Sequence, residues 1–482
     1  MGIMNFFRSL ILFFLCSFFS FSQENSKKIN KEYTIEIIKH KVKRKQTLYT
    51  ISKLYNVQID DIIKYNNQIK GFNISRKMEL SIPIKKDIIS KKEFSKIIID
   101  SLQSDFKELK DFKINLLEST LKHKSIKFVL LSPFNLDNIE IDSIENAKNY
   151  LKNLNLSTIS LDFYSGSLLA LIKIQELGID VDLKVIDTQN DFNSISKIIL
   201  SNSFDDYDFI LGPLVPRNIN QLSKAIINSN TPIISPLSSK AIEINSNVFQ
   251  SMPSEESQRA VMLEYVKKLV EIDPDPCVMI VYDSESVQVK DQILETYPYA
   301  ELINTDRING LIDPELTDSL LVSSKNNIVF LESQNLNTIT SVTSLLNSQI
   351  SKERSISLLT TYRADVYENE NISYEHLGNL KFTYPSYYRP VYDEKLDIFN
   401  ELYLSRFGKI PNKIAIRGYD ITLDLVLRVA YKKKLIKSIN IGETEYLQNR
   451  FNYLPKDGGY INNSIFLIQH NKFNIFEIYN DK

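Results

Sequence analysis

Polar side chains stand at the ends of several short apolar runs that we predict to be buried strands. Ser132, Asp187 and Ser235 close such runs in the first half of the chain, and Tyr282 and Glu332 close two more in the second half. Ligands of parallel α/β sheets bind outside the carboxyl ends of the strands, where hydroxyls and carboxylates can hydrogen-bond a small polar molecule. Together with their loop neighbours, the predicted ligand-binding residues are Ser132, Asp187, Ser235, Ser238, Ser239, Tyr282, Asp283 and Glu332.

The residue patterns of common catalytic centres are absent from the sequence. There is no Gly-x-Ser-x-Gly elbow, no His-Glu-x-x-His pair and no phosphate-binding glycine loop. The histidines lie far apart, at His40, His123, His376 and His470, so their spacing does not predict a metal site. We therefore expect a protein that is not an enzyme and that needs neither cofactor nor metal.

Length and charge limit the possible partners. The chain has 482 residues and a formal net charge of −1. It is too long for one ordinary domain. Binding to nucleic acid needs concentrated Lys and Arg, so this charge balance argues against nucleic acid as the main partner.

The first 22 residues have the pattern of a secretory signal peptide. Arg8 precedes an apolar run, 10–19, that is too short for a membrane span, and Ser20 and Ser22 favour cleavage before Gln23. A retained signal anchor and lipidation at Cys16 are the alternatives. We expect export to the periplasm or cell envelope, with no membrane span after cleavage.

From residue 126 onward, short apolar runs alternate with segments of helical periodicity. This alternation predicts βαβ units, hence parallel sheets, and two consecutive series predict two lobes with a cleft between their strand ends. Before them, the residues 85–125 carry apolar positions at helical spacing and predict a helical connector.

A separate short pattern lies between His40 and Pro83. It predicts a strand near 39–43, a helix capped by Thr47, a second helix from Gln58, and a closing strand that ends at Pro83. The sequence resembles the LysM family at Thr47-Leu48-Tyr49, Leu54-Tyr55, Val57, Asn66 and Leu80-Ser81-Ile82-Pro83. The resemblance implies a βααβ module at 36–84 that binds peptidoglycan or another glycan containing N-acetylglucosamine.

In that family, the glycan lies between the first strand–helix loop and the loop after the second helix. The resemblance therefore implies glycan contacts from Lys45, Gln46, Thr47, Leu48, Asn67, Gln68, Ile69 and Lys70. Two positions depart from the family pattern. Lys45-Gln46 replaces Gly-Asp, and Lys77-Met78 stands where the family often has glycine. Loss of glycine narrows the allowed backbone and puts the loop shape in question.

The remainder, 126–482, resembles type I periplasmic-binding proteins of the branched-chain amino-acid receptor kind. The resemblance is carried by Ser132-Pro133-Phe134, Asp162-Phe163-Tyr164-Ser165-Gly166, Leu211-Gly212-Pro213-Leu214, Pro232-Ile233-Ile234-Ser235-Pro236 and Ala415-Ile416-Arg417-Gly418-Tyr419-Asp420. It implies that Ser238 and Ser239 contact a ligand carboxylate, whereas helix capping is the alternative role. A ligand ammonium would need an acidic partner, for which Asp283 and Glu332 are both candidates.

These patterns lead to three hypotheses. The first is an exported peptidoglycan-associated protein whose bilobed domain binds a small ligand, such as an amino acid, or an envelope protein. The second is the substrate-binding component of an amino-acid ABC importer, and the third is a non-enzymatic regulator of peptidoglycan synthesis.

Overall fold

The computed structural model describes most of the chain in two compact units. The described residues are 33–43, 46–55, 57–69, 73–87, 113–139, 143–240, 242–272, 275–323, 325–390 and 393–478. The predicted signal peptide and the predicted helical part of the connector lie outside them. Residues 113–124, the described end of that connector, contain no helix.

The N-terminal unit is a small βααβ module. Its elements are β1 (Tyr33–Lys41), α1 (Leu48–Tyr55), α2 (Ile59–Lys64) and β2 (Glu79–Asp87). Thr47 caps α1 as predicted, because its Oγ1 accepts from the Thr50 amide at 3.2 Å. Apolar residues of both helices and of β2 share one core with Val42, which directly follows β1; its buried members include Leu48, Ile51, Ile62, Leu80 and Ile82.

The prediction that Pro83 ends the closing strand is wrong. β2 continues to Asp87 and pairs antiparallel with β1, with Pro83 opposite Ile37. Within the described residues, the sheet has two strands. Each therefore has an open edge, and a proline that lacks an N–H is tolerated when its nitrogen faces that edge.

The second unit contains two lobes, each built on a seven-stranded sheet. Lobe 1 contains β3 (Ser125–Ser132), β4 (Asp180–Asp187), β5 (Phe209–Leu211), β6 (Ile233–Ser235), β7 (Val248–Gln250), β15 (Tyr453–Lys456) and β16 (Gly459–Asn462). Lobe 2 contains β8 (Cys277–Tyr282), β9 (Glu301–Asn304), β10 (Asn326–Glu332), β11 (Ser355–Leu359), β12 (Thr383–Ser386), β17 (Phe466–Asn471) and β18 (Asn474–Glu477). A small ribbon joins β13 (Thr444–Glu445) to β14 (Arg450–Phe451).

Helices alternate with these strands. In lobe 1 they are α3 (Ile144–Lys152), α4 (Leu156–Glu176), α5 (Phe192–Ser201) and α6 (Pro216–Ala225). In lobe 2 they are α7 (Glu255–Ile272), α8 (Val287–Thr296), α9 (Pro314–Leu320), α10 (Leu336–Ser348) and α11 (Tyr374–Asn379). The chain then forms α12 (Glu394–Phe407) and α13 (Lys413–Lys432), and apolar residues of α13 join the core of lobe 1.

The two sheets share the order and direction of their first five strands but differ in the last two, because β16 pairs parallel with β7 whereas β17 pairs antiparallel with β12. Their strand orders are β15-β16-β7-β6-β5-β3-β4 and β18-β17-β12-β11-β10-β8-β9. The first five strands of each series are parallel to their neighbours, which confirms the predicted doubly wound sheets. The chain reverses its direction of winding between β3 and β5 and again between β8 and β10, and ligands of such sheets bind at these points.

Two glycines allow α13 to pack closely on α4. A Cβ added to Gly166 would lie 1.8 Å from the Ala415 carbonyl oxygen, and one added to Gly418 would lie 2.1 Å from the Phe163 carbonyl oxygen. Any side chain at either position would force the helices apart. The family motifs that contain these glycines are therefore explained by backbone contact rather than by ligand binding.

The described end of the predicted connector packs on lobe 1. The Ile114 amide donates to the Glu443 carbonyl at 2.8 Å, and the His123 amide donates to the Ala430 carbonyl at 2.9 Å. Leu116 is buried in the same core as β3 and α13. This stretch is therefore an extended part of the lobe rather than the end of a helix.

Candidate functional site

In the N-terminal module, Gln46 holds the first strand–helix loop. Its Oε1 accepts from the Lys43 amide at 2.8 Å and lies 2.8 Å from His40 Nε2. His40 Nδ1 lies 2.8 Å from the Tyr55 hydroxyl, so one chain of hydrogen bonds joins the loop to β1 and α1. A glutamine side chain thus closes the loop where the family pattern has Gly-Asp.

Lys77 stands where the family often has glycine, and it adopts the backbone conformation that glycine favours. Its φ is +71°, in the left-handed region that glycine occupies at lowest cost. The Lys77 amide donates to the Val42 carbonyl at 2.9 Å, and the Val42 amide donates to the Met78 carbonyl at 2.8 Å. The backbone turn before β2 is therefore kept without the glycine.

The second glycan loop begins at a buried asparagine. Asn66 Nδ2 donates to the Ile62 and Ser81 carbonyls, and its Oδ1 accepts from the Ser81 amide, each at 2.7 Å. Gln68 Nε2 donates to Asn66 Oδ1 at 3.1 Å. These bonds tie the end of α2 to β2 and fix the loop that follows.

The predicted glycan residues have different environments. Asn67 and Gln68 are exposed, and Gln46 and Thr47 are half-buried. The side chains of Leu48 and Ile69 belong to the core, so only their backbone groups could face a glycan. Lys45 and Lys70 lie outside the described residues.

On lobe 1, three hydroxyl groups at the carboxyl edge of the sheet lack partners. The hydroxyls of Ser132, Thr188 and Ser235 are buried and make no hydrogen bond within the described residues. Ser132 lies beside Asp187 across β3 and β4. A buried hydroxyl without a partner is costly, and such groups are common where a ligand or water supplies the missing bond.

Asp187 has a structural role that the sequence did not reveal. Its carboxylate accepts from the amides of Asn135 and Leu136 at 3.1 and 3.0 Å, and from the Gln189 amide at 2.9 Å. These bonds hold together the loops that follow β3 and β4. The carboxylate is thus already supplied with three donors.

The two serines after β6 differ. Ser238 Oγ accepts from the Lys240 amide at 3.2 Å, a bond within the loop, and no helix begins in the described residues between it and β7, so helix capping is not its role. The Ser239 side chain lies beside Tyr362, which follows β11 in lobe 2, and lowers the pKa of that phenol against the larger, raising effect of burial. Ser239 therefore belongs to a contact between the lobes.

On lobe 2, Asp283 and Glu332 lie close together. Ser286 Oγ donates to Asp283 Oδ1 at 2.9 Å and also to the Glu332 backbone carbonyl. Ser333 Oγ donates to the other Asp283 oxygen. The Glu332 carboxylate accepts from the amide and hydroxyl of Thr361, at 2.7 and 2.9 Å.

Burial dominates the acidity of Glu332. It raises the pKa of this carboxyl to about 7, although both bonds from Thr361 lower it. Neither carboxylate presents an unpaired pair of oxygens to a ligand ammonium. Tyr282, which precedes Asp283, is half-buried and has Lys290 Nζ 5.3 Å from its ring centroid.

Charged residues also join the lobes. Lys413, at the start of α13, places its Nζ 2.6 Å from an Asp365 carboxylate oxygen and 3.4 Å from a Glu368 oxygen in lobe 2. This ion pair joins the start of α13 to the segment that follows β11 in lobe 2. Lys413 could not be identified from the sequence, because a single lysine at the start of a helix gives no sign of a distant partner.

A buried arginine holds the segments that link the lobes. Arg417 donates to the carbonyls of Pro236 and Ser251, at 3.1 and 2.8 Å, and to Asn449 Oδ1 at 2.6 Å. Three residues later, the Asp420 carboxylate accepts from the amides of 447–449. Arg417 and Asp420 therefore tie α13 to the segment after β7 and to the turn between β13 and β14.

Metal-binding clusters and membrane-spanning helices are both absent from the described part of the chain. No group of three or more His, Cys, Asp or Glu residues there could hold a metal ion. Among the described helices, none is both long and apolar enough to cross a membrane.

Comparisons with known proteins fit this architecture. The model of the LysM domain family matches residues 40–83. No curated protein matches the sequence. A Rhodospirillum rubrum protein provisionally assigned to branched-chain amino acid ABC transport has a TM-score of 0.52 at 13% identity, over 74% of this chain and 100% of that one.

Two further solved structures are similar over the same part. An ABC transporter substrate-binding protein from Desulfitobacterium hafniense, in complex with Leu, is 14% identical over 73% of this chain and 100% of its own, with a TM-score of 0.46. A branched-chain amino acid ABC transporter periplasmic ligand-binding protein from Burkholderia xenovorans is 9% identical over 73% and 94%, with a TM-score of 0.48.

At these identities, likeness of structure establishes the fold alone, and the Rhodospirillum protein carries that argument. The chain therefore contains a LysM domain at residues 40–83, followed by a body with the type I periplasmic-binding-protein fold.

Proposed function

We propose that the chain is an exported, peptidoglycan-associated binding protein. In this proposal, residues 1–22 direct export and the LysM domain binds glycan that contains N-acetylglucosamine. The bilobed body binds a small ligand between its facing sheet edges. The observation that carries the proposal is the LysM match over 40–83, because it is the one part of the chain whose family has a defined ligand class.

The glycan surface of this proposal is made by two loops that are held internally. Gln46 supports the first loop through the Lys43 amide, and Asn66 supports the second through Ser81. The side chains of Asn67 and Gln68 are exposed, so a glycan could reach their polar groups. Preorganised loops lower the entropic cost of binding a glycan chain.

Co-sedimentation with purified peptidoglycan tests this assignment. We expect the purified chain to sediment with the glycan and a Gln46→Ala variant to be largely lost from the pellet, because its first loop would lose two hydrogen bonds. Gln58→Ala is the matched control, since Gln58 is exposed and its side chain makes no cap bond. Failure of the unmodified chain to sediment would overturn the proposal.

For the body, the proposal rests on its fold and on unpartnered hydroxyls at one edge of the cleft. Ser132, Thr188 and Ser235 could each bond a polar ligand or a water beside it. LysM domains and periplasmic-binding folds are binding modules, which is consistent with a non-enzymatic role. A thermal-shift screen with amino acids tests the small-ligand assignment, because a ligand at about 100 times its Kd adds about 2.7 kcal/mol of stability.

The second candidate function is that of a substrate-binding component of an amino-acid ABC importer. It is favoured by the fold shared with the Rhodospirillum protein. It is weakened because Asp283 and Glu332 already bond Ser286, Ser333 and Thr361. Stabilisation by an amino acid without retention on peptidoglycan would select the importer. Retention without stabilisation by any small molecule would favour an envelope protein as the partner of the body.

A further inference from the structure

Lobe 2 contains a polar pocket that lies beside the facing sheet edges and within that lobe alone. Its volume is about 520 Å³. It opens where the chain leaves β8, β9 and β10, and its lining includes Asp283, Asp306 and Asn335. It therefore lies where the lobe 2 sheet reverses its winding, the position at which doubly wound sheets bind ligands.

One buried group in the pocket wall lacks a partner. Thr338, in the first turn of α10, is fully buried, and its Oγ1 makes no hydrogen bond within the described residues. A Cβ added to Gly310, which also lines the pocket, would lie 3.1 Å from that oxygen. The hydroxyl therefore faces the bare backbone of Gly310, where a side chain would otherwise fill the space.

Charge and polarity define what the pocket could take. Asp283, Glu285 and Asp306 contribute three carboxylates, and no described residue that lines it is basic or apolar. Small-molecule sites are usually lined mainly by apolar groups, so this lining favours a hydrophilic ligand with positive charge.

The geometry favours an organic cation over a metal ion. Carboxylates that share one ion must converge on it, and no such group of three exists among the described residues. The volume of about 520 Å³ also falls within the range of about 300–1,000 Å³ that is typical of small-molecule sites.

We propose that this lobe 2 pocket binds a small hydrophilic organic cation. The ammonium group lies against the carboxylates of Glu285 and Asp306, and a hydroxyl of the ligand bonds Thr338 Oγ1. The site goes beyond the proposed function, because it requires neither the LysM domain nor lobe 1.

Isothermal titration calorimetry on the purified chain tests the proposal with three amines: glucosamine, ethanolamine and putrescine. Titrations at about pH 6 keep these amines protonated. N-acetylglucosamine is the neutral counterpart of glucosamine, and any heat that it produces should come from the LysM domain. We expect at least one amine to bind the pocket.

Variants locate the binding. Glu285→Gln/Asp306→Asn changes two exposed residues and should lower the affinity for the amine by about tenfold or more. Thr338→Val should lower the affinity for a hydroxylated amine by about fivefold but leave the affinity for putrescine unchanged. Glu295→Gln/Glu315→Gln is the control, because it removes the same net charge from exposed positions of lobe 2 that do not line the pocket.

The outcomes are distinct. Loss of amine binding in the pocket variant with peptidoglycan sedimentation unchanged supports the proposal. Absence of binding by all three amines overturns it, as does equal weakening in the pocket and control variants. Failure of the proposed function would appear separately, as loss of sedimentation.

Discussion

The five parallel strands of the two lobes have the same topology but carry different chemistry at their carboxyl ends. In lobe 1, two strands end in Ser132 and Ser235, whose hydroxyls are buried and have no partner among the described residues, and the Asp187 carboxylate at the end of a third is bonded by backbone amides. Lobe 2 ends in carboxylates, and those of Asp283 and Glu332 are bonded by neighbouring hydroxyls. A repeated fold therefore fixes where the polar groups lie, whereas the loops decide whether those groups are already satisfied.

The largest expected effects come from the glycines that allow close backbone contact in each lobe. Gly418→Ala would clash with the Phe163 carbonyl in lobe 1, and Gly378→Ala would place a Cβ 1.8 Å from the Lys472 carbonyl in lobe 2. We expect each to lower the free energy of unfolding by about 3 kcal/mol or more, measured by urea denaturation.

Ser165→Ala in α4 is the control for this pair, since it adds no atom at the helix contact. If only one of the two glycine variants has a lower free energy of unfolding, the two lobes do not depend equally on close packing.

The next effect is a pH dependence that belongs to lobe 2. Burial raises the pKa of Glu332 from 4.5 to about 7, so the folded state holds its proton more tightly than the unfolded state. This stabilisation is fully present below about pH 4.5 and is lost as the pH rises through about 7, a change of at most about 3 kcal/mol. Glu332→Gln should remove it while retaining both bonds to Thr361.

Urea denaturation of both proteins between about pH 4 and pH 8 measures this difference. Curves that run parallel across that range would show that Glu332 titrates alike in the folded and unfolded states.

A pair of serine substitutions compares the strand ends directly. Ser333→Ala should lower the free energy of unfolding by about 1.5–3 kcal/mol, because the buried Asp283 carboxylate loses a hydrogen-bond donor. Ser235→Ala should change stability by less than about 0.5 kcal/mol, because the Ser235 hydroxyl has no partner to lose. Thermal unfolding measures both, and equal costs would contradict the difference between the lobes.

The smallest effect concerns the contact between the lobes. Tyr362→Phe removes the hydroxyl that lies beside Ser239 and should lower the free energy of unfolding by about 0.5–1 kcal/mol. It should also increase the separation of fluorophores placed on the two lobes. Tyr150→Phe is the matched control, since it removes a 2.8 Å bond to Ser157 within lobe 1 and should leave that separation unchanged. An unchanged separation in both variants would show that the Tyr362 hydroxyl does not hold the lobes together.

Several features could be predicted because they are encoded locally. The LysM helices follow from a cap at Thr47 and from apolar spacing, and the parallel sheets follow from the alternation of strands and helices. The continuation of β2 beyond Pro83 could not be predicted, because a proline stops a strand only if its nitrogen faces a partner strand. That depends on which edge of β2 pairs with β1.

The candidate sites divide in the same way. Strand-end reasoning located Asp283 and Glu332 correctly at one edge of lobe 2. It did not include Asp306, Gly310 and Thr338, which complete the pocket. Those residues follow β9 or open α10, and they meet Asp283 only because β8 lies between β9 and β10 in the sheet.

The sequence by itself determined the order of the modules, the position of the strand ends and the polar character of the residues there. These depend on periodicity, capping and composition, which act over a few neighbouring residues. Only the tertiary structure decided which polar groups are satisfied. Asp187 and Asp283 accept hydrogen bonds, whereas the hydroxyls of Ser235 and Thr338 have no partner among the described residues. Hydrogen bonds between distant segments depend on sheet order and lobe contact, and no local pattern encodes either.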